Sequence, residues 1–568
     1  MTRKSSSSVR LAVLCLAGLA GCQPGTIGRA CACDNAGVCP PGCAPISGQD
    51  GGADGPGAPD ASDAGLPGDA SVTPDGGPTP DGSPTPDAGP DASGPPPEPQ
   101  FALDCSQNPG LVHPIFTDNM VLQRDSWDPV WGCTTPGGAV SVAIAGQTAQ
   151  ATADATGFWK LRLQPIPAGG PHTMVITGAA SRTLANVLVG DVWLCSGQSN
   201  MQMAVSGVLN AAQEIADAAN YPSIRLFTVP AFKGSPTPDQ LFQSATAWVP
   251  TDSNSVQWFS ATCYFFAREL YQASSVPQGL IHSSYGGTAI EWWMSAGSLA
   301  TDPDFADDIA AIAAGQYPAD NFYPTSLFNG MIAPLLPFAV RGMVWYQGES
   351  NAGNPVQYRR LLANMIVDWR AQFGVGDSPF LIVQLPRYQA AQTTPSEGGW
   401  AGLREAELLV AKGVAGAGLA ITIDTGQADD IHPKDKQDVG ERLAVLARGR
   451  AYGEAIAAQA PTYRSMAVEG ASIRISFDDV RTGLMVGTKQ PLTPVTEVPA
   501  GSLTAFAIAG ADRNFVWATA TIDGSTVLVS AAGVAAPVAV RYGWASNPAC
   551  NLYGTEGLPA SPFRTDDW

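Results

Sequence analysis

Ser199 stands where an apolar, β-rich run stops. Residues 186–203 read NVLVGDVWLCSGQSNMQM, and the run breaks at Ser196-Gly197-Gln198-Ser199-Asn200. A serine placed where a buried strand meets a glycine turn has its hydroxyl held at the rim of a sheet. It becomes a nucleophile if a base reaches it. The chain has only four histidines, so the base can be sought by elimination. His113 precedes Pro114 and His172 follows Pro171 in a β-rich region, where both read as structural or exposed. His282 falls inside an expected buried strand, where a hydrogen-bonded core imidazole is the plain reading. His432 differs: it lies in Asp424-Thr425-Gly426-Gln427-Ala428-Asp429-Asp430-Ile431-His432-Pro433, a loop expected between a strand and a helix. Asp429, three residues earlier, can accept the Nδ1 proton of His432 and leave Nε2 free as a base toward serine. Asp430 is the alternative acid. A metal site built from Asp429, Asp430 and His432 is the competing reading. No second eligible histidine and no H-E-x-x-H pattern supports it, and no metal or cofactor is expected. An ordinary polar loop capping the next helix is the third reading.

An acyl-transfer intermediate places negative charge on oxygen, and pre-set donors must meet it. Ser283-Ser284-Tyr285-Gly286-Gly287-Thr288 offers glycines whose N–H groups can approach a ligand closely, although glycines also serve plain β-to-α turns. Trp345-Tyr346-Gln347-Gly348-Glu349-Ser350-Asn351 gathers Gln, Glu, Ser and Asn at one strand end. A side-chain amide there, from Gln347 or Asn351, is a further candidate donor.

These segments need a scaffold that brings strand ends together. From about residue 186 to 455, apolar runs at 187–195, 279–283, 342–346, 380–384 and 418–423 alternate with helical patterns near 263–272, 357–373, 402–412 and 437–451. That alternation predicts a doubly wound parallel sheet of about five strands, whose reactive groups sit at the carboxyl ends of strands. The pattern changes to short alternating runs over 101–185 and again over 456–568. Each is expected to form a β-sandwich flanking the α/β domain.

At 568 residues the chain has room for about three or four domains. The formal net charge is −20, but charged residues make up only 14%, and no Lys or Arg occurs between Arg29 and Arg124. Much of the acidity is therefore local. No basic patch stands out, which argues against nucleic-acid binding. Arg3, Lys4 and Arg10 precede a short apolar stretch over residues 11–20, the layout of an export signal rather than of a membrane span. It ends in Leu19-Ala20-Gly21-Cys22, which resembles the bacterial lipobox, so residues 1–22 are expected to be a lipoprotein signal with lipid attached at Cys22. The expected location is the cell envelope, by a lipid anchor to the outer membrane, or secretion. Cys31, Cys33, Cys39 and Cys43 crowd residues 23–46, where a disulfide-stapled cap fits an exported protein better than a zinc knuckle. Residues 47–100 are mostly Pro, Gly, Asp, Ala, Ser and Thr and read as a disordered tether. Cys105, Cys133, Cys195, Cys263 and Cys550 remain in the body, an odd number that leaves at least one unpaired within that set.

The four segments, in this order, resemble the four blocks of the SGNH hydrolases, in the form found in the sialate O-acetylesterase family. The resemblance extends to FTDNMVLQR at 116–124 and NLYGTEGLPASPFRTD at 551–566. It implies an SGNH serine esterase that removes O-acetyl groups from sugars through an acetyl-serine intermediate. Carried over by position, Ser199 is the nucleophile, His432 the base and Asp429 its orienting partner. The N–H of Ser199, a glycine of Gly286-Gly287 and the side chain of Gln347 form the oxyanion hole. The third block departs from the usual Gly-x-Asn-Asp, which leaves Gln347 and Asn351 as rivals. The expected partner is an acetylated carbohydrate, either sialic acid or a polysaccharide such as xylan. A non-catalytic glycan-binding lipoprotein is the reading from another class.

Overall fold

The computed structural model describes residues 101–568 except 108–109, 233 and 319–321. The export signal, Cys22, the cysteine-rich segment and the tether lie outside the described residues. The protein is mixed α/β, with a large central sheet and several further β-sheets.

Six parallel strands form the middle of the central sheet: β1 (Ser181–Gly197), β2 (Ile224–Thr228), β3 (Gln278–Ser284), β4 (Gly342–Tyr346), β5 (Phe380–Val383) and β6 (Ala417–Ala420). Their order is β6-β5-β4-β1-β3-β2, with the short strand Val249–Pro250 antiparallel at the β2 edge. β3 and β4 are buried along their whole length, as suits strands covered on both faces. Five of the six fall on the apolar runs read from the sequence. The sixth, β2, completes one edge.

β1 is 17 residues long and serves two neighbourhoods. Its first half pairs antiparallel with Gly169–Thr177, and its second half lies between β3 and β4. The boundary expected near residue 185 therefore falls inside a continuous strand. Val142, Trp131 and Ile176 from the N-terminal β region share one hydrophobic core with Trp193, Phe266 and Trp369 of the α/β region. The C-terminal β region builds its own core around Ile475, Phe506, Val529 and Tyr542.

The covering helices begin and end on recognisable caps. They follow a single turn, α1 (Ser199–Gln202). Ser260 accepts from the Cys263 N–H at the start of α2 (Ala261–Ser274). Asn354 caps α3 (Pro355–Phe373), which has proline in its first turn and Gly374 in the left-handed region at its end. α4 (Gly399–Gly413) follows, and Asp435 caps α5 (Lys436–Arg450). Among the described residues, no helix is long and apolar enough to cross a membrane.

Candidate active site

The end of β1 is forced against β4. Gly197 has φ +138°, and a Cβ there would stand 2.1 Å from the Tyr346 carbonyl oxygen. Only glycine fits such a close approach. The Gln198 N–H donates to that same carbonyl at 3.0 Å, and the chain then turns into α1, with Ser199 as its first residue. α2 pins this turn from the other side. Ser260 Oγ donates to the Met201 carbonyl at 2.6 Å, Thr262 Oγ1 to the Asn200 carbonyl at 3.3 Å, and Cys263 is disulfide-bonded to Cys195 of β1.

His432 arrives from the loop between β6 and α5. Its Nε2 lies 2.8 Å from Ser199 Oγ, across 233 residues of sequence. Burial lowers the basicity of His432, the Lys436 ammonium lowers it further, and Asp430 opposes both. A half-buried serine hydroxyl hydrogen-bonded to an imidazole of lowered basicity has the geometry that nucleophilic catalysis requires of a serine and its base.

The acid is placed differently from the expectation. Asp429 is exposed and forms no ion pair with His432. Asp430 is the nearer carboxylate, with Oδ1 3.8 Å from Nδ1, beyond hydrogen-bond length. That same Oδ1 accepts the backbone N–H of His432 at 2.9 Å, so it is engaged as a cap of the loop.

The candidate donors differ in how far they are already hydrogen-bonded. A Cβ on Gly286 would lie 3.2 Å from Ser199 Cβ, so Gly286 does border Ser199, with the exposed Gly287 beside it. The Gly286 N–H is satisfied by Gln202 Oε1 at 2.9 Å. Gln347 is fully buried, and its amide donates to the Thr288 carbonyl at 3.0 Å and to Asn351 Oδ1 at 2.7 Å. Both its hydrogens are engaged. Asn351 is partly exposed and spends one amide hydrogen, on Glu291 Oε2 at 3.1 Å.

His113 and His282 are buried, hydrogen-bonded core residues. Burial pushes His113 and His282 down to about 4, and they bond the Gln240 carbonyl and Ser284 Oγ. His172 lies on the strand Gly169–Thr177. Of the aromatics at the strand ends, Trp293, Trp345 and Tyr346 are core residues. Tyr285 and Trp292 are half-buried and pack on Phe322 at 4.9 and 4.8 Å between ring centroids. Arg404 is fully buried and donates to the carbonyls of Leu385, Pro386, Ala545 and Ser546, so it is committed to the fold.

Two residues beneath the pair escaped the sequence reading. Asn200 and Lys436 are both fully buried, joined by Nζ to Oδ1 at 2.6 Å. Lys436 left one signal: it opens a helix, where the macrodipole disfavours a cation.

Comparison with known proteins defines the class. The family model described as carbohydrate esterase, sialic acid-specific acetylesterase matches residues 189–447. Mouse sialate O-acetylesterase is 31% identical over 522 residues, covering 80% of this chain and 94% of that protein. Human sialate O-acetylesterase is 33% identical, covering 60% of this chain and 70% of that protein. The crystal structure of a carbohydrate acetylesterase from Xanthomonas citri is 40% identical, with a TM-score of 0.72, covering 80% of this chain and 99% of that one. The protein is thus a carboxylic ester hydrolase of the carbohydrate esterase class. It belongs to the sialate O-acetylesterase family.

Proposed function

We propose that this carbohydrate O-acetylesterase works through an acetyl-serine intermediate on an SGNH-type sheet, with Ser199 and His432 as the reacting pair. The observation that carries the reading is the 2.8 Å contact between Ser199 Oγ and His432 Nε2 at neighbouring loop ends. Ser199 Oγ attacks the acetyl carbonyl while His432 Nε2 takes its proton. His432 then protonates the leaving sugar oxygen, and water, deprotonated by the same nitrogen, releases acetate and restores the serine. The carboxylate that orients the imidazole comes from the Asp429-Asp430 pair, of which Asp430 stands nearer, with Oδ1 3.8 Å from Nδ1.

The N–H of Ser199 and that of Gly286 or Gly287 face the developing oxyanion. A substrate oxygen takes the place of Gln202 Oε1 on Gly286. The remaining donor is Asn351, whose second amide hydrogen is uncommitted, with Gln347 holding it in orientation.

The substrate is an O-acetylated sialic acid, the sugar that the family model and the mammalian relatives name. The location is extracytoplasmic, by a lipid on Cys22. The disulfides Cys105–Cys133 and Cys195–Cys263 support an oxidising compartment, and Cys550 is the unpaired thiol of the body. Acetate release from O-acetylated sialic acid and from acetylxylan, measured side by side for wild type and Ser199→Ala, tests the reading. Release from the sialic acid that vanishes in the variant is expected. Faster release from xylan overturns the substrate assignment, and activity in the variant overturns the mechanism.

A further inference from the structure

The buried polar groups under Ser199 are unlike the rest of the core. Asn200 Nδ2 donates to Glu349 Oε1 at 2.5 Å and to the Ile431 carbonyl at 3.0 Å, while Oδ1 accepts from Lys436 Nζ at 2.6 Å. These bonds fix the orientation of the amide, since its oxygen faces an ammonium and its nitrogen faces two acceptors. One side chain thereby ties together the nucleophile turn, the turn after β4, the residue before His432, and the first residue of α5. Lys436 has no exposed surface, and its ammonium lies 5.1 Å from the centroid of the Tyr346 ring.

A packing role alone accounts poorly for this arrangement. A fully buried ammonium is costly, and replacing a buried ion pair by apolar groups is often neutral or stabilising. Three of the partners sit within two residues of a group in the proposed reaction: Asn200 next to Ser199, Ile431 next to His432, and Glu349 two residues from both Gln347 and Asn351. The network therefore joins the nucleophile, the base and the amide donors through one residue.

We infer that Asn200, Glu349 and Lys436 are positioning residues, which hold the His432 loop on Ser199 and set the electrostatic surroundings of its imidazole. Asn200 acts through geometry. Its hydrogen bond to the Ile431 carbonyl fixes the backbone one residue before His432, and its own backbone fixes Ser199. Lys436 acts through charge. The charged groups acting on the imidazole are Asp430 from its own loop and Lys436 from α5, while Glu349 from the turn after β4 faces Lys436 across Asn200. A cation near the imidazole disfavours imidazolium and keeps the resting base neutral. Burial drops Lys436 itself to about 7, with Glu349, Asp435 and Asp430 holding it up.

The inference rests on Ser199 and His432 being the reacting pair. That reading fails if Ser199→Ala stays active, whereas the inference is read from variants in which Ser199 and His432 are intact. In the full-length protein, Lys436→Met is expected to lower kcat by about tenfold, with KM changed less than about threefold. It is also expected to move the acid limb of kcat/KM up by about half a pH unit, because the imidazole loses a neighbouring cation. Asn200→Asp keeps the acceptor for Lys436 but sets a carboxylate against Glu349 and the Ile431 carbonyl. It is expected to lose about 10²-fold in kcat, the scale of an ångström-sized misplacement. Circular dichroism and thermal melting of each variant separate folding from chemistry. An unshifted acid limb in folded Lys436→Met, or a kcat near that of wild type in folded Asn200→Asp, overturns the inference. If Lys436→Met does not fold, Asn200→Asp decides by its kcat. If neither folds, the network is structural and the inference is overturned as well.

Discussion

Gly197→Ala asks whether the end of β1 sets the nucleophile. Gly197 has φ +138°, and its new Cβ would stand 2.1 Å from the Tyr346 oxygen and 2.7 Å from the Tyr346 carbonyl carbon. Real Cβ atoms essentially never come within 3.0 Å of such atoms, so β1 and β4 must part by about 1 Å. The Gln198 N–H to Tyr346 carbonyl bond, 3.0 Å long, spans the gap that opens. Strained backbone costs about 1–3 kcal/mol, and a weakened buried hydrogen bond about 1 kcal/mol more. The displaced group is two residues from Ser199, whose Oγ is 2.8 Å from His432 Nε2. A shift of about 1 Å takes the oxygen out of hydrogen-bond reach and is expected to lower kcat/KM about 10²-fold. Hydrolysis of an aryl acetate and urea unfolding of the same preparation read both effects. A folded variant within threefold of wild-type kcat/KM refutes the argument that this strand end positions Ser199.

Other outcomes follow from the same geometry. The Cys195–Cys263 disulfide closes a separation of 68 residues between β1 and α2. Replacing both cysteines by alanine is expected to cost about 4 kcal/mol in urea unfolding, and a loss below about 1 kcal/mol contradicts that. Replacing Asp429 and Asp430 together by asparagine is expected to lower kcat at least about 10²-fold. Alone, Asp430→Asn is expected to cost about fivefold, because the pair is half-exposed and 3.8 Å apart. A double variant with wild-type kcat removes the carboxylate from the mechanism. Because His432 must be neutral to accept a proton, kcat/KM holds above its pKa and falls as pH drops through it. Burial and Lys436 both lower that pKa, so the acid limb is expected below 6.5, and a limb above it contradicts the assignment.

The α/β region was legible because its strands are short apolar runs ending in glycine or polar turns. β2 was missed because only five residues, between Pro222 and Pro230, carry its signal. The boundary near 185 was misread because local alternation does not reveal that one strand serves two pairings. That Ser199 and His432 meet was reachable by residue type and by elimination. The ranking of Asp429 over Asp430, and of Gln347 over Asn351, depended on side-chain directions that spacing does not carry. Asn200 and Lys436 are 236 residues apart, and nothing local announces their contact.

If the proposed mechanism holds, Ser199 is the group acylated in turnover. Reaction of the full-length protein with a fluorophosphonate, followed by peptide mass analysis, tests it most directly. A single adduct is expected on the peptide carrying Ser199, absent in Ser199→Ala and formed far more slowly in His432→Ala. An adduct on another residue, or Ser199→Ala hydrolysing acetyl esters at the wild-type rate, contradicts it.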